Sequence, residues 1–249
     1  MFRIKKSLTH RLADTPSTNT YLLENYQSMQ EGTLIITENQ TAGKGQDKAR
    51  WESKPGQNLT LSLLLRPSNL EAAEQFYLNI ATSLAIRAFI QSHTKKPITV
   101  KWPNDIYVNN QKIAGILINN MLYGQRIDAS IVGAGININQ TRFYSDAPNP
   151  VSLSQITGIS YHLNTMLEEL RSVMETYFNR LYERAFDELN EEYYRYMYRL
   201  NEWHDFIIHT QRIHAMITGI NEFGQLRLID HQSVTYTCDL REVSFIRES

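Results

Sequence analysis

The chain has 249 residues, a formal net charge of −1 and one cysteine. This length allows one large domain and a small one. The balanced charge gives no global attraction to nucleic acid or to a membrane surface. A single cysteine excludes an internal disulfide and an all-cysteine metal site. No apolar run approaches the roughly 20 residues of a membrane span, and the first residues lack the apolar core of a secretory signal. The sequence therefore predicts a cytoplasmic protein with no membrane partner.

The first half of the chain alternates predicted helices and strands. Ser17 and Thr18 are N-cap candidates, so we expect a helix to begin near Asn19. Two β-rich segments follow at residues 33–40 and 58–66. The segment between them is then a connection at the end or edge of a sheet, where functional loops tend to lie.

A helix and three strands are predicted next in the chain. Apolar residues recur at helical spacing between residues 70 and 92, which predicts a well-buried helix. Strands are expected at residues 98–102, within 105–124 and at 126–137, and asparagines 109 and 110 suit a tight turn that makes the second of these a hairpin.

The last third of the chain changes from helical to strand-like patterning. Residues 163–197 carry an apolar stripe at helical spacing, which is typical of core packing. Residues 213–245 alternate in short runs separated by turn signals, which predicts short antiparallel strands and a small barrel. The sequence thus predicts an α+β fold, in which a mixed β-sheet domain with flanking helices spans residues 1–204 and a small β domain spans residues 205–249.

A glycine-rich basic loop, TAGKGQDKARW, occupies residues 41–51. Gly43 and Gly45 would let backbone N–H groups point into an anion-binding nest, and Lys44, Lys48 and Arg50 would supply charge. The loop matches neither the P-loop nor the Rossmann glycine pattern. By itself it leaves two interpretations open, a solvated basic surface loop or a loop that closes over an anion.

A second candidate is the motif KWPND at residues 101–105. Proline fixes its own φ and restricts the residue before it, so the motif predicts a rigid strand end that carries polar side chains. Lys112 opens the returning hairpin strand and is expected on the same side. A single lysine there is usually a solvated edge residue, so it gains meaning only in combination.

The order of the motifs along the chain resembles the biotin protein ligase family. STN at residues 17–19, the glycine loop through Trp51, KWPND, QKIAGIL at 111–117 and GAGIN at 133–137 follow one another as in that family. The resemblance extends to the C-terminal segments GQLRLI and REVSF, which are similar to the family's small SH3-like domain. It implies the class II synthetase-like fold of biotin and lipoate ligases, followed by an SH3-like β-barrel.

The resemblance also implies a two-step, ATP-dependent reaction. Biotin would be activated to biotinyl-5'-AMP with release of pyrophosphate, and then transferred to one lysine of a biotin carboxyl carrier protein or domain. ATP and biotin are the expected substrates, and Mg²⁺ is expected only as an ion carried with ATP, without a protein-bound metal. Because the STN motif begins at residue 17, we expect no DNA-binding domain ahead of it and no DNA partner. A monomer and a homodimer both remain open.

Site residues follow from the same resemblance, position by position. The implied catalytic residues are Lys112, Lys44, Asp105 and Asn104. The implied biotin-binding residues are Ser17, Thr18, Asn19, Gln40, Gly43, Lys44, Lys112, Gly115 and Gly133. The implied ATP-binding residues are Gly43, Lys44, Gly45, Gln46, Trp51, Lys101, Asn104, Lys112 and Asn137, with Trp51 stacked on adenine and Asn137 bound to its edge.

The glycine loop departs from the family pattern G-R-G-R-x-G-R-x-W. Lys44 and Gln46 replace the first two arginines, Lys48 the third glycine and Ala49 the third arginine, so bidentate phosphate contacts are lost there. Three alternatives stay open: a lipoate-protein ligase with the same adenylation logic, a nucleotide-binding regulator without catalysis, and a structural or interaction protein. The last of these leaves the joint occurrence of five motifs unexplained.

Overall fold

A mixed β-sheet and a smaller antiparallel sheet organise the molecule; the computed structural model describes residues 1–46, 49–144 and 149–246. The strands of the large sheet are β1 (Thr9–Thr15), β2 (Leu34–Gln40), β3 (Leu59–Leu65), β4 (Ile98–Lys101), β5 (Asp105–Val108), β6 (Gln111–Tyr123) and β7 (Arg126–Ile136). They lie in the order β1-β2-β3-β7-β6-β5-β4, in which β1 and β2 are parallel and every other neighbouring pair is antiparallel.

Helices cover both faces of this sheet. They are α1 (Thr18–Asn25), α2 (Phe76–Gln91), α3 (Leu153–Thr157), α4 (Leu163–Tyr182) and α5 (Phe186–Arg195). The main core lies between the sheet and the helices α2, α4 and α5, while Leu22 of α1 packs with Ile35, Leu64 and Ile131 on the opposite face. None of the helices in the described residues combines the length and the hydrophobicity that a membrane span requires.

Local signals place most of these elements correctly. Ser17 is the N-cap of α1, and its Oγ accepts a hydrogen bond from the backbone N–H of Thr20 at 3.4 Å, as the sequence predicted. The turn predicted between β5 and β6 is also confirmed, because Asn109 adopts a left-handed φ of 52°. The four strands predicted from alternating or apolar runs around residues 33–40, 58–66, 98–102 and 126–137 are all present.

Two helix predictions were wrong in their bounds. The helix expected from residue 70 begins at Phe76, because residues 72–74 form a separate 3₁₀ turn in which the Glu74 side chain accepts the backbone N–H of Glu71. The helical stretch expected over residues 163–197 is divided between α4 and α5. Arg184, which lies between them, adopts a left-handed φ of 58° that no helix can continue through.

The strands of the small sheet are β8 (Trp203–Ile208), β9 (Gln211–Ile220), β10 (Leu226–Asp230), β11 (Thr235–Cys238) and β12 (Val243–Phe245). Their order in the sheet is β11-β10-β9-β8-β12. The predicted antiparallel strands are confirmed, but the barrel is not closed: β11 and β12 are the outer strands of the order, and β12 is three residues long and pairs with β8. Because β8 begins at Trp203, it crosses the predicted boundary after residue 204, and that division stays a prediction.

Backbone hydrogen bonds and a buried side chain join the two sheets. The backbone N–H of Val100 on β4 donates to the Tyr196 carbonyl, and the N–H of Tyr198 donates back to the Val100 carbonyl at 2.9 Å. The Trp102 indole, 5% exposed, donates to the Gly224 carbonyl in the β9–β10 turn at 2.8 Å. The end of β4 is therefore held directly against the small sheet.

The helix α2 carries the first testable consequence of this packing. Leu84 is fully buried between the sheet and the neighbouring helices, so Leu84→Ala should lower the free energy of unfolding by about 2–5 kcal/mol in urea titrations. Leu23→Ala, on the exposed side of α1, is the matched control, since that leucine is 45% exposed and should cost about 0.5 kcal/mol. Equal losses in the two variants would contradict the placement of α2 in the core.

Candidate functional site

A cavity of about 480 Å³ lies between the carboxyl-terminal part of β4, the strands β6 and β7, the glycine loop and the small sheet. Both charged and aromatic side chains line it. The residues proposed from the sequence that line this cavity are Ser17, Thr18, Asn19, Gln40, Lys44, Gly45, Gln46, Trp51, Lys101, Asn104, Asp105, Lys112, Gly115 and Gly133. The fold thus brings together motifs that are as much as 116 positions apart in the chain.

A polar network forms one part of the cavity wall. The Ser62 hydroxyl, on β3, lies 2.8 Å from Thr18 Oγ1 and 2.6 Å from Asn19 Oδ1. Gln40 Oε1 accepts the backbone N–H of Thr18 at 3.0 Å. These side chains are buried or half-buried and hold one another in place, so they present fixed donors and acceptors to a small polar ligand.

Close approach to Gly133 explains why a glycine lines this wall. A methyl group on Gly133 would lie 2.4 Å from Asn19 Oδ1. Asn19 cannot move aside at low cost, because its Nδ2 donates to the Leu117 carbonyl at 3.0 Å and its Oδ1 lies against Ser62. The glycine therefore leaves the Asn19 amide at the cavity surface.

An ion pair occupies the middle of the cavity. Lys112 Nζ lies 2.6 Å from Asp105 Oδ1, and the two side chains are 21% and 18% exposed. The pairing Asp105↔Gly115 between β5 and β6 sets this geometry. The ammonium also lies 5.7 Å from the centre of the Trp51 ring, whose indole packs over Gly115 and Gly135. A cation, a carboxylate and an aromatic face therefore meet at one point.

Asn104 is held beside this ion pair by β6. Its Nδ2 donates to the Ile116 carbonyl, and its own backbone carbonyl accepts from the Ile116 N–H at 3.0 Å. The side chain is almost fully buried. These hydrogen bonds of Asn104 hold in place the strand end that carries Asp105.

The described parts of the glycine loop, residues 41–46 and 49–51, pair with each other through backbone hydrogen bonds and differ from the expected nest. The N–H of Gly45 donates to the Ala49 carbonyl at 2.7 Å, and the N–H of Trp51 donates to the Gly43 carbonyl at 3.0 Å. Gly45 N–H is therefore already paired and does not point to an anion in this conformation. Lys44 and Arg50 line the cavity, whereas Lys48 lies outside the described residues.

Two residues proposed from the sequence do not line the cavity. Gly43 is buried under the loop, where a methyl group would lie 2.4 Å from the Trp51 carbonyl oxygen. Asn137 is 2% exposed, and its Nδ2 donates to the Val151 carbonyl at 3.1 Å. Its Oδ1 is buried and has no hydrogen-bond partner within the described part of the chain. The proposed adenine contact of Asn137 stays a prediction.

The charge of the cavity lining is strongly positive. Five cationic residues line it against one carboxylate, Asp105, among the residues that the structure describes: Lys44, Arg50, Lys101, Lys112 and Arg199. Such an excess of cations in a partly enclosed space attracts a polyanion. In the described ranges no group of three or more histidine, cysteine, aspartate or glutamate side chains is arranged to hold a metal ion.

Sequence reasoning missed several residues of the lining. Ser62 had a local signal in the sequence, because it is a polar residue within the apolar run of β3. In the structure its side chain is fully buried. The residues at the junction with the small sheet had no such signal, since their spacing matches no motif. They are Tyr107, Asn110, Asn149, Tyr198, Arg199 and Phe245.

Comparison with known proteins decides the family. A model of the biotin/lipoate A/B protein ligase family matches residues 12–137, about half of the chain. The chain belongs to this family. The matched segment contains the polar network, the glycine loop and the ion pair of Lys112 with Asp105.

Individual members of the biotin/lipoate A/B protein ligase family match over different lengths. The bifunctional ligase/repressor BirA of Escherichia coli is 33% identical over 168 residues, which are 65% of this chain and 51% of that protein. The biotin--[acetyl-CoA-carboxylase] ligase of Paracoccus denitrificans is 27% identical over 222 residues, which are 87% of this chain and 92% of that protein. The chain spans about half the length of the BirA relative.

A solved structure supports the same fold. The biotin protein ligase from Aquifex aeolicus in complex with biotin and ATP aligns with a TM-score of 0.80 at 25% sequence identity, covering 96% of this chain and 99% of that one. This coverage includes the small sheet as well as the large one. The predicted biotin–lipoate ligase fold is therefore confirmed.

Proposed function

We propose that this protein is an ATP-dependent biotin protein ligase that transfers biotin to a lysine of a biotin carboxyl carrier protein or domain. The observation that carries the proposal is the Lys112–Asp105 ion pair at 2.6 Å, placed between a buried polar network and a cation-rich lining within one cavity. The polar network suits the uncharged polar ring of a small carboxylic acid, and the cation-rich lining suits a polyanionic nucleotide. The ion pair lies between them, where the two substrates would be joined. The names of the Paracoccus and Aquifex relatives support the same reaction.

The first step joins the carboxylate to the nucleotide. A carboxylate oxygen of biotin attacks the α-phosphorus of ATP, the bond from that phosphorus to the bridging oxygen breaks, and pyrophosphate leaves with the bonding electrons. Lys112 is placed to hold the reacting oxygens, because Asp105 fixes its ammonium in the middle of the cavity. Fixed positive charge stabilises the charge that develops on those oxygens.

The second step transfers the acyl group. The neutral amine of the acceptor lysine attacks the carbonyl carbon of the mixed anhydride, the bond from that carbon to the AMP oxygen breaks, and the nitrogen releases a proton to solvent. AMP leaves as an anion, so Lys112 and the neighbouring cations stabilise the leaving group here as well. Asp105 and Asn104 keep the strand end in place during both steps.

The polar network is the proposed binding site for the ureido ring of biotin. Ser17, Thr18, Asn19 and Gln40 supply donors and acceptors within one wall, and Gly133 makes room for the Asn19 amide in that wall. A ring with two N–H groups and a carbonyl uses such a wall, whereas the dithiolane of lipoate offers no comparable hydrogen-bonding groups. This difference favours biotin over lipoate.

Other parts of the proposal follow from the substrates. ATP would bring Mg²⁺ as the counter-ion of its phosphates, because Mg²⁺ is commonly bound through substrate phosphates. We expect a reaction in the cytoplasm and no DNA partner, and both a monomer and a homodimer agree with the cavity described. Trp51 would face the adenylate, because its ring forms the cavity surface beside Lys112.

Exchange of radiolabelled pyrophosphate into ATP tests the proposal. Exchange that depends on biotin and not on lipoate would support biotin adenylation. Exchange that depends on lipoate alone would assign the protein to the lipoate branch, and absence of exchange with either acid would leave a nucleotide-binding protein without ligase activity. Incorporation of labelled biotin into a carrier domain then tests the transfer step.

Asp105→Asn should lower kcat for pyrophosphate exchange by about 10–100-fold. The substitution keeps the shape of the side chain but removes the charge that holds Lys112 Nζ, and small displacements of a reacting group are costly in rate. Asp128→Asn is the control, because that carboxylate is 52% exposed and lies 3.9 Å from Arg66, outside the cavity. Wild-type kcat in Asp105→Asn would show that the ion pair does not position Lys112.

A further inference from the structure

Ser62 is a fully buried hydroxyl in the apolar strand β3, and the reaction steps described so far do not use it. It lines the cavity beside Thr18 and Asn19 of α1. In the sheet, Ser62 pairs with Gly133 of β7, and Gly133 pairs on its other side with Leu117 of β6. These three strand residues form one row across the sheet, and the Asn19 amide lies over the glycine in the middle of that row.

The orientation of the Asn19 amide is determined by its neighbours. The Leu117 carbonyl lies 3.0 Å from Asn19 Nδ2, and a carbonyl oxygen can only accept a hydrogen bond. The second hydrogen of Nδ2 also has an acceptor, Asn119 Oδ1 at 3.2 Å. The amide nitrogen therefore faces β6, and Asn19 Oδ1 faces Ser62 as an acceptor.

This orientation sets the direction of the hydrogen bonds that Ser62 makes. Its Oγ lies 2.6 Å from Asn19 Oδ1 and 2.8 Å from Thr18 Oγ1. A hydroxyl has one hydrogen, so Ser62 cannot donate to both oxygens. Asn19 Oδ1 has no hydrogen of its own and must receive the one from Ser62, whereas Thr18 can supply its own hydrogen to the second contact. The Thr18 hydroxyl therefore donates to Ser62.

The Thr18 hydroxyl is then left as an acceptor for a ligand. Gln40 Oε1 lies 3.4 Å from Thr18 Oγ1, which is longer than the usual range of roughly 2.5–3.0 Å for a hydrogen bond between oxygens. It also accepts the backbone N–H of Thr18 at 3.0 Å. Thr18 lines the cavity, and the hydroxyl is the one polar group of its side chain. What this group offers to a ligand is a lone pair.

A hydroxyl held as an acceptor discriminates between ligands that a rotating hydroxyl accepts equally. A threonine hydroxyl without fixed partners donates or accepts, because its hydrogen turns to suit the ligand. A fixed acceptor binds an N–H and opposes an oxygen at the same position, since two lone pairs then face each other. Burial increases this penalty, because no water replaces the missing hydrogen bond.

We propose that Ser62 is a positioning residue that determines ligand specificity: it holds the Thr18 hydroxyl as an acceptor, so that the wall selects a ring with an N–H at that position. The proposal depends on the proposed ligase function in one respect, the identification of this ring as the ureido ring of biotin. Ser62 acts through Thr18 and takes no part in the bonds that form and break. This role accounts for a serine at a fully buried position of an apolar strand, where a polar group needs a partner.

Calorimetric titration with biotin and with two cyclic carbamates tests the proposal. In each carbamate an oxygen replaces one of the two ring N–H groups of biotin, so one of the pair lacks the N–H that faces Thr18. The wild type should bind that carbamate about 10–100-fold more weakly than biotin. In Ser62→Ala the Thr18 hydroxyl is released and can donate to the ring oxygen, so the ratio of the two dissociation constants should fall about tenfold.

A matched control and a second variant guard against a general effect on folding. Ser83→Ala is the control, because Ser83 of α2 is equally buried and does not line the cavity. Asn19→Ala removes the acceptor of the Ser62 hydrogen and should lower the same ratio. Circular dichroism shows whether each variant is folded, and Asn19→Ala decides the question if Ser62→Ala is not.

A double-mutant cycle tests whether Ser62 acts through Thr18. Thr18→Val removes the hydroxyl that Ser62 holds, so adding Ser62→Ala in that background should leave the carbamate ratios unchanged. Four results would overturn the proposal: unchanged ratios in folded Ser62→Ala, the same fall in Ser83→Ala, a further fall in the Thr18→Val background, or wild-type protein that binds both carbamates as tightly as biotin.

The results also separate this role of Ser62 from the proposed function. A protein that exchanges pyrophosphate with biotin, but whose carbamate ratios do not change in Ser62→Ala, would keep the ligase and remove the role of Ser62. A protein whose ratios depend on Ser62, but which shows no biotin-dependent exchange, would keep the role of Ser62 and remove the ligase. A wild-type protein that binds neither biotin nor the carbamates would overturn both.

Discussion

Lys112→Ala should lower kcat for biotin-dependent pyrophosphate exchange by about 10²–10³-fold, the usual cost of removing one group that stabilises a developing oxyanion. The ammonium of Lys112 is 2.6 Å from Asp105 and 5.7 Å from the Trp51 ring centre, so it is fixed in the middle of the cavity. The substitution also leaves the Asp105 carboxylate without its cation, which reverses the local charge. Both changes oppose the approach of a carboxylate to a phosphate.

The position of the loss in the kinetic scheme is part of this prediction. If Lys112 acts on the transition state, kcat and kcat/KM should fall together while the dissociation constant for biotin changes little. Lys95→Ala, an exposed lysine after α2, is the control and should behave as wild type. A rise in KM alone, with kcat unchanged, would reduce Lys112 to a substrate-binding residue.

Gly133→Ala should weaken biotin binding about 10–100-fold, since the buried amide that it displaces loses about 1–3 kcal/mol of hydrogen bonding. The added methyl would lie 2.4 Å from Asn19 Oδ1 and 2.7 Å from Asn19 Cγ. Asn19 is buried and held by Leu117 and Ser62, so it can give way only by breaking those contacts. Crowding of this kind should also lower the free energy of unfolding by about 1–3 kcal/mol.

A double-mutant cycle separates crowding from any direct role of the glycine. Asn19→Ala removes the side chain that the methyl would meet, so Gly133→Ala should cost little further stability in that background. Biotin affinity should stay low in the double variant, because the amide is then missing. If Gly133→Ala costs the same stability with and without Asn19, the close approach of these two residues is not the cause.

Much of the fold could be predicted because its signals are local. Ser17 at the start of α1 and Asn109 in the β5–β6 turn reveal themselves through hydrogen-bonding and φ preferences of single residues. The helix bounds failed where a local feature interrupted an apolar pattern, at the capped turn before Phe76 and at the left-handed Arg184. Periodicity records which face is buried and does not record where the backbone turns.

Some residues of the candidate site could likewise be predicted from local sequence motifs, and others could not. Lys112, Asp105 and the glycines lie in motifs whose order along the chain indicated the family, and the sequence by itself determined that these residues are the candidates for its site. Only the tertiary structure decided that Ser62 of β3 contacts Asn19 of α1 and that Arg199 reaches the cavity from the connection between the sheets. These contacts depend on strand order and on the docking of two sheets, which bring together residues far apart in the chain. The local conformational preferences of those residues do not predict such contacts.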